Sequence, residues 1–491
     1  MTTYNQQLRG IPALITLDRR SRAPIYRQIY DAYRARILRN ELRAGQLVPS
    51  SRDLARQLRV SRLPVLNAYA QLLAEGFFET HVGSGTFIAA LPSRASTDIR
   101  AHAPSGLRRI SQRAAAIGPY QRPAWAERLG PFQVGQPELQ SFPIHIWSRL
   151  SARYARELKV RALQYGDPIG LEELREAIAT HLRGSRGVRC EAAQVMIVNG
   201  SQQALDLTGR VLLDPGMSVW MEDPGYWLVH QIVGAAGCRQ IAVPVDEEGL
   251  DVAAGIKLCP RASAAFVAPS HQYPLGGTMS AARRLKLLDW AHRVEAWIVE
   301  DDYDSEYRYD STPISSLQGL DQHARVIYTS SFSKVLFPSL RIGYLVVPED
   351  LVERFAAMRQ LLDLGPAHAT QAVLAAFISE GHFSRHVRRM RKLYQERRQV
   401  LIECVERELA GLCTVVGANA GMHITLLLSA RTSDQEIADR AAAKGLIIST
   451  LSASSLSHPP RQQGLVLGFG NSPTRAIPQA IHQLKSILLS K

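Results

Sequence analysis

The sequence predicts two folded units, a small N-terminal winged helix-turn-helix of the α+β class and a larger C-terminal α/β unit. Within the first ninety residues, three short amphipathic helical patterns precede a glycine-rich hairpin pattern. Beyond residue 125, short apolar runs rich in β-formers alternate with helical stretches, which is typical of a mainly parallel sheet covered by helices. The length of 491 residues also favours more than one hydrophobic core.

The positive charge of the chain is concentrated near its N-terminus. Residues 1–124 hold 19 arginines, no lysine and 7 acidic residues, a net charge of +12, whereas the rest of the chain carries only +2 of the total of +14. A basic quarter on a nearly neutral body is typical of a module that binds a polyanion. DNA is the leading candidate, although composition alone equally allows RNA or an anionic surface.

Cysteine usage and hydropathy indicate the compartment. The five cysteines are odd in number, far apart and without a C-x-x-C pair, which argues against a disulfide framework or a zinc site. The N-terminus shows no basic-then-apolar leader, and no apolar run reaches the roughly 20 residues that cross a bilayer. We therefore expect a soluble cytoplasmic protein with no metal site and no membrane partner.

Three helical patterns open the chain. The first follows Pro24 and ends near Asn40, and its apolar residues recur at every fourth position on one face. They are Ile25, Ile29, Tyr33 and Ile37. A second helix of two turns begins at Ser50, where a hydroxyl precedes the Asp53 carboxylate by three positions. Ser61 can cap a third helix, and two short helices joined by a tight turn make a helix-turn-helix.

The third helix and the hairpin after it are the expected DNA-contacting parts. The helix begins Ser61-Arg62-Leu63-Pro64, so its arginine would enter the major groove and reach guanine edges or phosphates. Two strand patterns then flank His81-Val82-Gly83-Ser84-Gly85, a glycine-rich turn that indicates a wing. Affinity for DNA should fall steeply with salt, because phosphate contacts release counterions.

These motifs resemble the GntR family of bacterial winged-helix regulators over most of residues 20–90. The matching segments are Gly45-x-x-x-Pro49-Ser50-Ser51-Arg52-Asp53-Leu54-Ala55, Val60-Ser61-Arg62, Tyr69, Glu75-Gly76-Phe77 and Gly83-Ser84-Gly85-Thr86-Phe87. The resemblance implies that Arg52, Ser61 and Arg62 contact operator DNA. It also implies that His81 and Gly83 lie along the minor groove. Family members often have Thr where this chain has Pro64, which removes one potential hydroxyl contact; the alternative is that the arginines form only a solvated helix face.

Residues 91–124 indicate a basic linker between the two units. Their composition shifts to Ser, Pro, Ala and Arg, with a short helical pattern around residues 107–116. The segment would either track along DNA beside the wing or serve as a solubilising tether. We therefore expect a DNA-binding domain at 20–90 and a body at 125–491, with a large subdomain at about 160–370 and a small one at about 371–491.

The distinctive residues of the body follow its predicted strands. These strands are Val195–Val198, Val219–Met221, Ala264–Val267, Trp297–Val299, Val326–Tyr328 and Ile342–Val347, with a helix at Ala281–His292. Ligands of such sheets bind at the carboxyl ends of the strands. Lys334 follows one strand in Ser331-Phe332-Ser333-Lys334, and Asp301 ends another strand 33 residues earlier.

This set of residues fits an aldehyde cofactor. Such a cofactor needs a lysine for its Schiff base, a carboxylate that keeps its pyridine nitrogen protonated, and donors around its phosphate. The segment Asn199–Ala204 joins a strand to a helix, so its amides and the Ser201 hydroxyl would face an anion at a helix N-terminus. Tyr226 ends Glu222-Asp223-Pro224-Gly225-Tyr226 and would stack on the pyridine ring.

From about residue 130 onward the chain resembles the fold-type I pyridoxal 5′-phosphate (PLP) enzymes, the aminotransferase class. Together with the N-terminal module it resembles the MocR/GabR branch of the GntR family. The resemblance implies an internal aldimine on Lys334, a ring-nitrogen partner in Asp301, a hydrogen bond from Tyr303 to the ring oxygen and stacking by Tyr226. The phosphate-binding residues implied are Gly200, Ser201, Gln202, Ser331, Ser333 and Arg341, with Tyr165 reaching the phosphate from the partner subunit of a head-to-tail homodimer.

Some positions depart from the pattern of amino-acid aminotransferases. Those enzymes usually grip the substrate carboxylate with a C-terminal arginine, where this chain has Val466, and Leu228 stands where the GABA-responsive member has a second arginine. Tyr273 stands where the enzymes have an asparagine beside the ring oxygen. A bidentate carboxylate clamp is therefore not evident, unless Arg461 or Arg475 substitutes.

The sequence thus predicts a PLP-dependent transcriptional regulator with at most residual transaminase activity. It would bind operator DNA and sense PLP or an amine or amino-acid effector, through a population shift between two dimer states. The alternative is an active aminotransferase with an accessory DNA-binding arm. A third possibility is a DNA-binding scaffold that has lost its cofactor.

Overall fold

A computed structural model describes residues 15–92, 109–117, 130–309, 314–429 and 433–490. The chain divides into two compact units, Met1–Arg109 and Ile110–Lys491. The predicted linker at 91–124 lies largely outside the described residues, although a short helix, Gln112–Ile117, is described within it. None of the helices in the described ranges combines the length and the hydropathy that a bilayer crossing requires.

The first unit is a winged helix. It consists of α1 (Ile25–Leu38), α2 (Ser51–Leu58), α3 (Arg62–Ala74), β1 (Phe78–His81) and β2 (Gly85–Ile88). The two strands pair antiparallel, from Phe78 opposite Ile88 to His81 opposite Gly85. Because the apolar faces of the helices meet the hairpin, they share one core, which includes Ile29, Tyr33, Leu54, Val65, Tyr69, Leu72, Phe78 and Ile88.

Of the two predicted N-terminal caps in this unit, the structure contains the one at α2 and not the one at α3. At α2, Ser50 Oγ accepts from the Asp53 amide and donates to the Asp53 carboxylate at 2.6 Å, as the motif predicts. At α3, Ser61 occupies the N-cap position but its side chain makes no capping hydrogen bond, so that part of the prediction is wrong. The start of α3 is exposed, and water can satisfy its amides instead.

The second unit contains two sheets and most of the helices. Its helices are α4 (Gln112–Ile117), α5 (Ile144–Glu157), α6 (Glu172–Arg186), α7 (Ser201–Leu212), α8 (Trp227–Ala235), α9 (Val252–Leu258), α10 (Ala281–Val294), α11 (Val352–Asp363), α12 (His368–Ser379), α13 (His382–Glu408), α14 (Asp434–Ala443) and α15 (Ile477–Leu489). Its strands are β3 (Val195–Val198), β4 (Ser218–Asp223), β5 (Arg239–Asp246), β6 (Gly249–Leu250), β7 (Ala264–Val267), β8 (Trp297–Asp302), β9 (Val326–Ser331), β10 (Gly343–Val346), β11 (Cys413–Val416), β12 (His423–Leu428), β13 (Ser449–Thr450) and β14 (Gly464–Gly468).

The larger sheet is mixed, with a parallel centre. Its strand order is β3-β10-β9-β8-β7-β4-β5-β6. The pairs from β9 through β8, β7 and β4 to β5 are parallel, whereas β10 runs antiparallel to both of its neighbours and β6 runs antiparallel to β5. The strands β4, β7, β8 and β9 are buried almost throughout, as expected where helices cover both faces of a sheet. Since β8 and β9 are parallel neighbours, their carboxyl ends bring the regions of Asp301 and Lys334 together.

The smaller sheet is antiparallel, in the order β11-β12-β14-β13. A bridge between Phe132 and Gly468 attaches the segment near residue 132 to the end of β14. That segment continues to Gly135, which it delivers to the amine of Lys334. The fold therefore brings Gly135 to the candidate site, although it is almost 200 residues from Lys334 in sequence.

Candidate functional site

Lys334 lies in the turn that follows β9, with its amine directed inward. Its Nζ donates a hydrogen bond to the Gly135 carbonyl oxygen at 3.1 Å. Burial lowers the pKa of Lys334, although the carboxylates of Asp304 and Asp301 oppose that effect. A lowered pKa increases the fraction of uncharged amine, which is the form that attacks an aldehyde.

Gly135 is a site residue that the sequence analysis missed. Its φ of +71° lies in the left-handed region, and a Cβ at this position would overlap the Nζ of Lys334. The residue therefore leaves the space that the lysine amine occupies. The only sequence signal is a glycine two residues before Pro137, which indicates a turn but no chemistry.

Asp301 and Asp302 are neighbours on β8 with different surroundings. Asp302 is buried in a closed network, in which it accepts from Arg186 Nε at 2.8 Å and from the Tyr328 hydroxyl at 2.6 Å. Asp301 Oδ1 is out of reach of solvent and has no hydrogen-bond partner among the described residues. Burial, with Asp302 and Asp304 nearby, raises the pKa of Asp301 to about 7, while Lys334 lowers it. Of these two neighbours, Asp301 is the one without an ion pair among the described residues.

An anion-binding corner lies at the start of α7. Gly200 has a φ of +88° and precedes a first turn, containing Ser201 and Gln202, that no described side chain caps. The guanidinium of Arg341 packs closely against Gly200, since a Cβ added there would lie only 3.2–3.3 Å from it. The same guanidinium donates a hydrogen bond to the Asn199 carbonyl oxygen at 2.8 Å. Free amides at a helix start beside a guanidinium suit a phosphate.

Ser331 and Ser333 extend this corner from the end of β9. Ser331 Oγ accepts from the Ser333 amide at 3.1 Å. The Ser333 hydroxyl is buried, and within the described ranges it has no hydrogen-bond partner. Buried polar groups rarely remain unpaired, so an absent acceptor is the simplest explanation for this hydroxyl.

Three tyrosines surround the region between Asp301 and Lys334. The rings of Tyr226, at the start of α8, and Tyr273 meet edge to face with their centroids 5.8 Å apart. Burial, followed by Asp301 and Tyr273, raises the pKa of Tyr226. The Tyr303 hydroxyl lies 3.0 Å from His271 Nδ1, a contact that the sequence analysis missed although His271 stands two residues before Tyr273.

Tyr165 lies apart from this buried group. It is in the loop before α6 with 87% of its surface exposed, so within one chain it is not part of the cluster. The two positions that lack the expected arginines hold apolar side chains in the structure. Val466 is fully buried on β14 opposite Thr425 of β12, and Leu228 lies half-buried on α8.

The residues predicted to contact DNA are all exposed on the winged helix. Arg52 lies on α2, Ser61 and Arg62 at the start of α3, and His81 and Gly83 at the tip of the hairpin. Arg62 Nε donates to Ser51 Oγ at 3.0 Å, which orients its guanidinium across the two helices of the motif. The His81 ring packs against Phe87, with centroids 5.1 Å apart, and its Nε2 lies 3.5 Å from Glu79.

The groups around Lys334 together fit PLP in charge and in hydrogen bonding. An amine of lowered pKa, an unpartnered carboxylate oxygen, an uncapped helix start with a guanidinium, and an unpaired serine hydroxyl match its aldehyde, its ring nitrogen and its phosphate. The Asp301 oxygen and the Ser333 hydroxyl have no hydrogen-bond partner within the described chain.

Two family models match the chain, one for each unit. The model of bacterial regulatory proteins of the gntR family matches residues 25–88, and the model of aminotransferases of class I and II matches residues 134–461. The class defined by this fold and site is a transcriptional regulator in which a winged-helix DNA-binding domain is joined to an aminotransferase-like domain.

Relatives of the same two-domain build make the family specific. The chain is 39% identical to the "probable rhizopine catabolism regulatory protein MocR" of Rhizobium meliloti, over 97% of this chain and 96% of that protein. It is 32% identical to the pyridoxine biosynthesis transcriptional regulator PdxR of Corynebacterium glutamicum, over 93% and 94%. The chain therefore belongs to the GntR family, as a regulator of the MocR type.

The solved structures match the larger unit. The α-aminoadipate aminotransferase LysN of Thermus thermophilus, complexed with N-(5′-phosphopyridoxyl)-L-leucine, superposes with a TM-score of 0.70 at 28% identity. The match covers 77% of this chain and 97% of that chain. The predicted fold class is thus confirmed, and the larger unit has the fold of PLP-dependent aminotransferases.

Proposed function

We propose that this regulator binds PLP through Lys334. Its binding to operator DNA would change when PLP, an amine or an amino acid binds. The observation that best supports the proposal is the unpartnered Asp301 Oδ1 near the amine of Lys334. PLP, when bound, would supply an aldehyde for an amine and a protonated ring that accepts electrons. The regulator would act in the cytoplasm, where its DNA target lies.

The side chains would divide the binding between them. Lys334 would present its uncharged amine, Asp301 would hold the ring nitrogen protonated and Tyr226 would stack on the ring. Tyr303 would donate to the ring oxygen. The phosphate would be held by Gly200, Ser201, Gln202, Ser331, Ser333 and Arg341. This assignment gives partners to the groups that lack them in the described chain.

We further propose a head-to-tail homodimer in which Tyr165 reaches the partner's phosphate site. Tyr165 is exposed next to other exposed apolar side chains, Val160 and Leu163. Large exposed apolar groups close together are typical of protein interfaces. Two copies would also present two winged helices to an operator with two half-sites.

The effector class follows from what the site lacks. With Val466 and Leu228 in place of arginines, no bidentate grip on a carboxylate is evident in the part of the chain that is described. This favours PLP itself or an amine over an amino-acid substrate, and it weighs against the alternative of an active aminotransferase. The name of the Corynebacterium relative, which regulates pyridoxine biosynthesis, supports PLP as the signal.

A footprinting experiment tests the proposal directly. The full-length protein is footprinted on the DNA that flanks its own gene, without ligand, with PLP, and with PLP plus candidate amines and amino acids. We expect protection of paired half-sites and a change of pattern or affinity with at least one ligand, because a ligand that binds two states differently shifts their populations. Identical footprints under all conditions would remove the sensor, and rapid keto-acid production from amino acids would favour the enzyme.

Gly135→Ala should lower PLP occupancy without removing any cofactor contact. The added Cβ would overlap the lysine amine, and its positive φ strains any L side chain, so we expect about a tenfold loss of apparent affinity, which corresponds to ~1.4 kcal/mol. The measurement is visible absorbance per mole of protein during PLP titration. Gly184→Ala is the matched control, because nothing lies within 4 Å of its added Cβ and its φ is ordinary. Equal occupancy in both variants would contradict the close fit around Lys334.

A further inference from the structure

A histidine–aspartate pair lies directly behind Tyr303. His271 Nδ1 is 2.9 Å from Asp304 Oδ1 and 3.2 Å from Oδ2, and both side chains are 1% exposed. The Tyr303 hydroxyl lies 3.0 Å from the same nitrogen. One ring nitrogen therefore faces a carboxylate and a phenol at once.

We propose that Asp304 and His271 are positioning residues that fix the direction in which the Tyr303 hydroxyl donates. Their hydrogen bonds would leave the phenol's hydrogen free for the ring oxygen of PLP. The inference rests on the proposed function, because it is there that Tyr303 is given a cofactor partner.

The direction of the Tyr303 hydrogen bond depends on which nitrogen of His271 carries the hydrogen. Its Nε2 is buried and has no hydrogen-bond partner within the described residues. A hydrogen on Nε2 would make it an unsatisfied buried donor, which proteins avoid more strictly than unsatisfied acceptors. A hydrogen on Nδ1 instead donates to the Asp304 carboxylate, in a charge-assisted bond that is among the stronger kinds. The geometry therefore favours the Nδ1–H tautomer.

The tautomer decides what Tyr303 can do. A phenol next to a nitrogen that already carries a hydrogen can only accept from it. Its own hydrogen must point elsewhere, and the space near Asp301 and Lys334 is where the proposed cofactor would lie. Burial, followed by Asp304, Tyr273, Asp301 and Glu222, raises the pKa of Tyr303 well above its usual value, so the phenol keeps the hydrogen it donates.

The pair is held in place from behind. A Cβ on Gly421 would overlap the His271 ring and the Asp304 carboxylate, so the backbone at this residue packs directly against both. The ring of His423 lies 5.0 Å from that of His271, centroid to centroid. Burial, together with His271, lowers the pKa of His423 to about 3, so this neighbour remains uncharged. The pair thus has little freedom to turn away from Tyr303.

The same three side chains, His271, Asp304 and His423, have the composition of a metal site. Their potential ligand atoms lie within 4.8 Å of one another. Two existing contacts favour hydrogen bonding instead: the Tyr303 hydroxyl faces His271 Nδ1, and His423 Nε2 lies 3.2 Å from the Pro274 carbonyl oxygen. The zinc content of the purified protein separates the two interpretations, and one zinc per chain would overturn the hydrogen-bonded pair.

The test uses the full-length protein loaded with PLP and follows the visible absorbance band as pH is varied. Tyr303→Phe should raise the pH midpoint of the band by about one unit, because the ring oxygen, without its donor, holds the proton on the neighbouring lysine nitrogen more firmly. His271→Phe should shift the midpoint in the same direction, and the double variant should shift it no further, since both changes act through one hydroxyl.

Several results would overturn the inference. His271→Phe could leave the midpoint unchanged, or its shift could add to that of Tyr303→Phe. His271→Asn, which keeps a donor near the Nδ1 position, should restore part of the normal midpoint and carries the test if His271→Phe does not fold. The matched control is His181→Phe, at another mostly buried histidine, which packs on Phe383 and is expected to leave the midpoint unchanged. A wild-type protein without any visible band would instead reject the proposed function, and so the two failures are distinguishable.

Discussion

Lys334→Ala is expected to abolish the visible absorbance that PLP gives when it is attached to the protein. No other lysine amine is held beside Asp301 among the described residues, and the covalent attachment needs an amine in its uncharged form. The measurement is the absorbance spectrum after incubation with PLP and gel filtration. We also expect the variant to lose any effect of PLP on the operator footprint while it still binds DNA, because the winged helix is a separate compact unit.

The control for this variant is Lys286→Ala. Lys286 is an exposed lysine on α10, so its removal changes the charge of the same unit without touching the site. It should retain the full band and the full footprint response. An unchanged spectrum in Lys334→Ala would show that another amine carries PLP. Loss of DNA binding in the same variant would contradict the expectation that the winged helix binds DNA without an intact cofactor site.

The buried strands and one aspartate show what the sequence could determine. A strand covered on both faces is buried along its length, so β3, β7 and the first half of β8 were recognisable as short apolar runs between helical patterns. Successive residues on a strand point to opposite faces, and Asp301 and Asp302 follow this rule. The structure pairs Asp302 with Arg186 and leaves an oxygen of Asp301 without a partner, which fits the assignment from sequence.

Contacts between distant segments were beyond the reach of the sequence. Gly135 meets Lys334 only because the segment near Phe132 is attached to β14, and no local pattern encodes that bridge. His271 lies two residues before Tyr273, but its role depends on Asp304, which arrives from another loop. The strands of the smaller sheet were also missed. One of them, β11, is partly exposed and lacks the continuous apolar run that a buried strand shows.

The helix starts illustrate a different limit. A hydroxyl before a helix predicted a cap at both Ser50 and Ser61, yet only Ser50 makes the capping bond. The difference lies in Asp53, whose carboxylate takes the hydroxyl hydrogen while its amide donates to the oxygen. Ser61 is followed three residues later by Pro64, which has no amide hydrogen to offer. Because the Ser61 hydroxyl makes no capping bond to the described helix, we expect it to be available to a phosphate or a base.

Arg62→Ala should weaken operator binding by ~1–3 kcal/mol, or about 5- to 150-fold, if the arginine contacts a guanine edge. Arg62 is exposed at the start of α3, and its bond to Ser51 Oγ holds the guanidinium in one orientation before DNA arrives. An oriented side chain loses less conformational entropy on binding, which adds to affinity. The measurement is fluorescence anisotropy with the footprinted operator at one fixed salt concentration, because affinity depends strongly on salt.

Two comparisons separate base contact from general attraction. Arg210→Ala removes one positive charge from an exposed position on α7 in the second unit and should leave operator affinity nearly unchanged. If Arg62 contacts a base, Arg62→Ala should change the affinity for a scrambled duplex very little. If Arg62 contacts a phosphate instead, Arg62→Ala should lower the affinity for both duplexes equally. It should also reduce the salt dependence of binding by the contribution of about one phosphate contact. If Arg62→Ala binds the operator as tightly as the wild type, the start of α3 is not the surface that meets DNA.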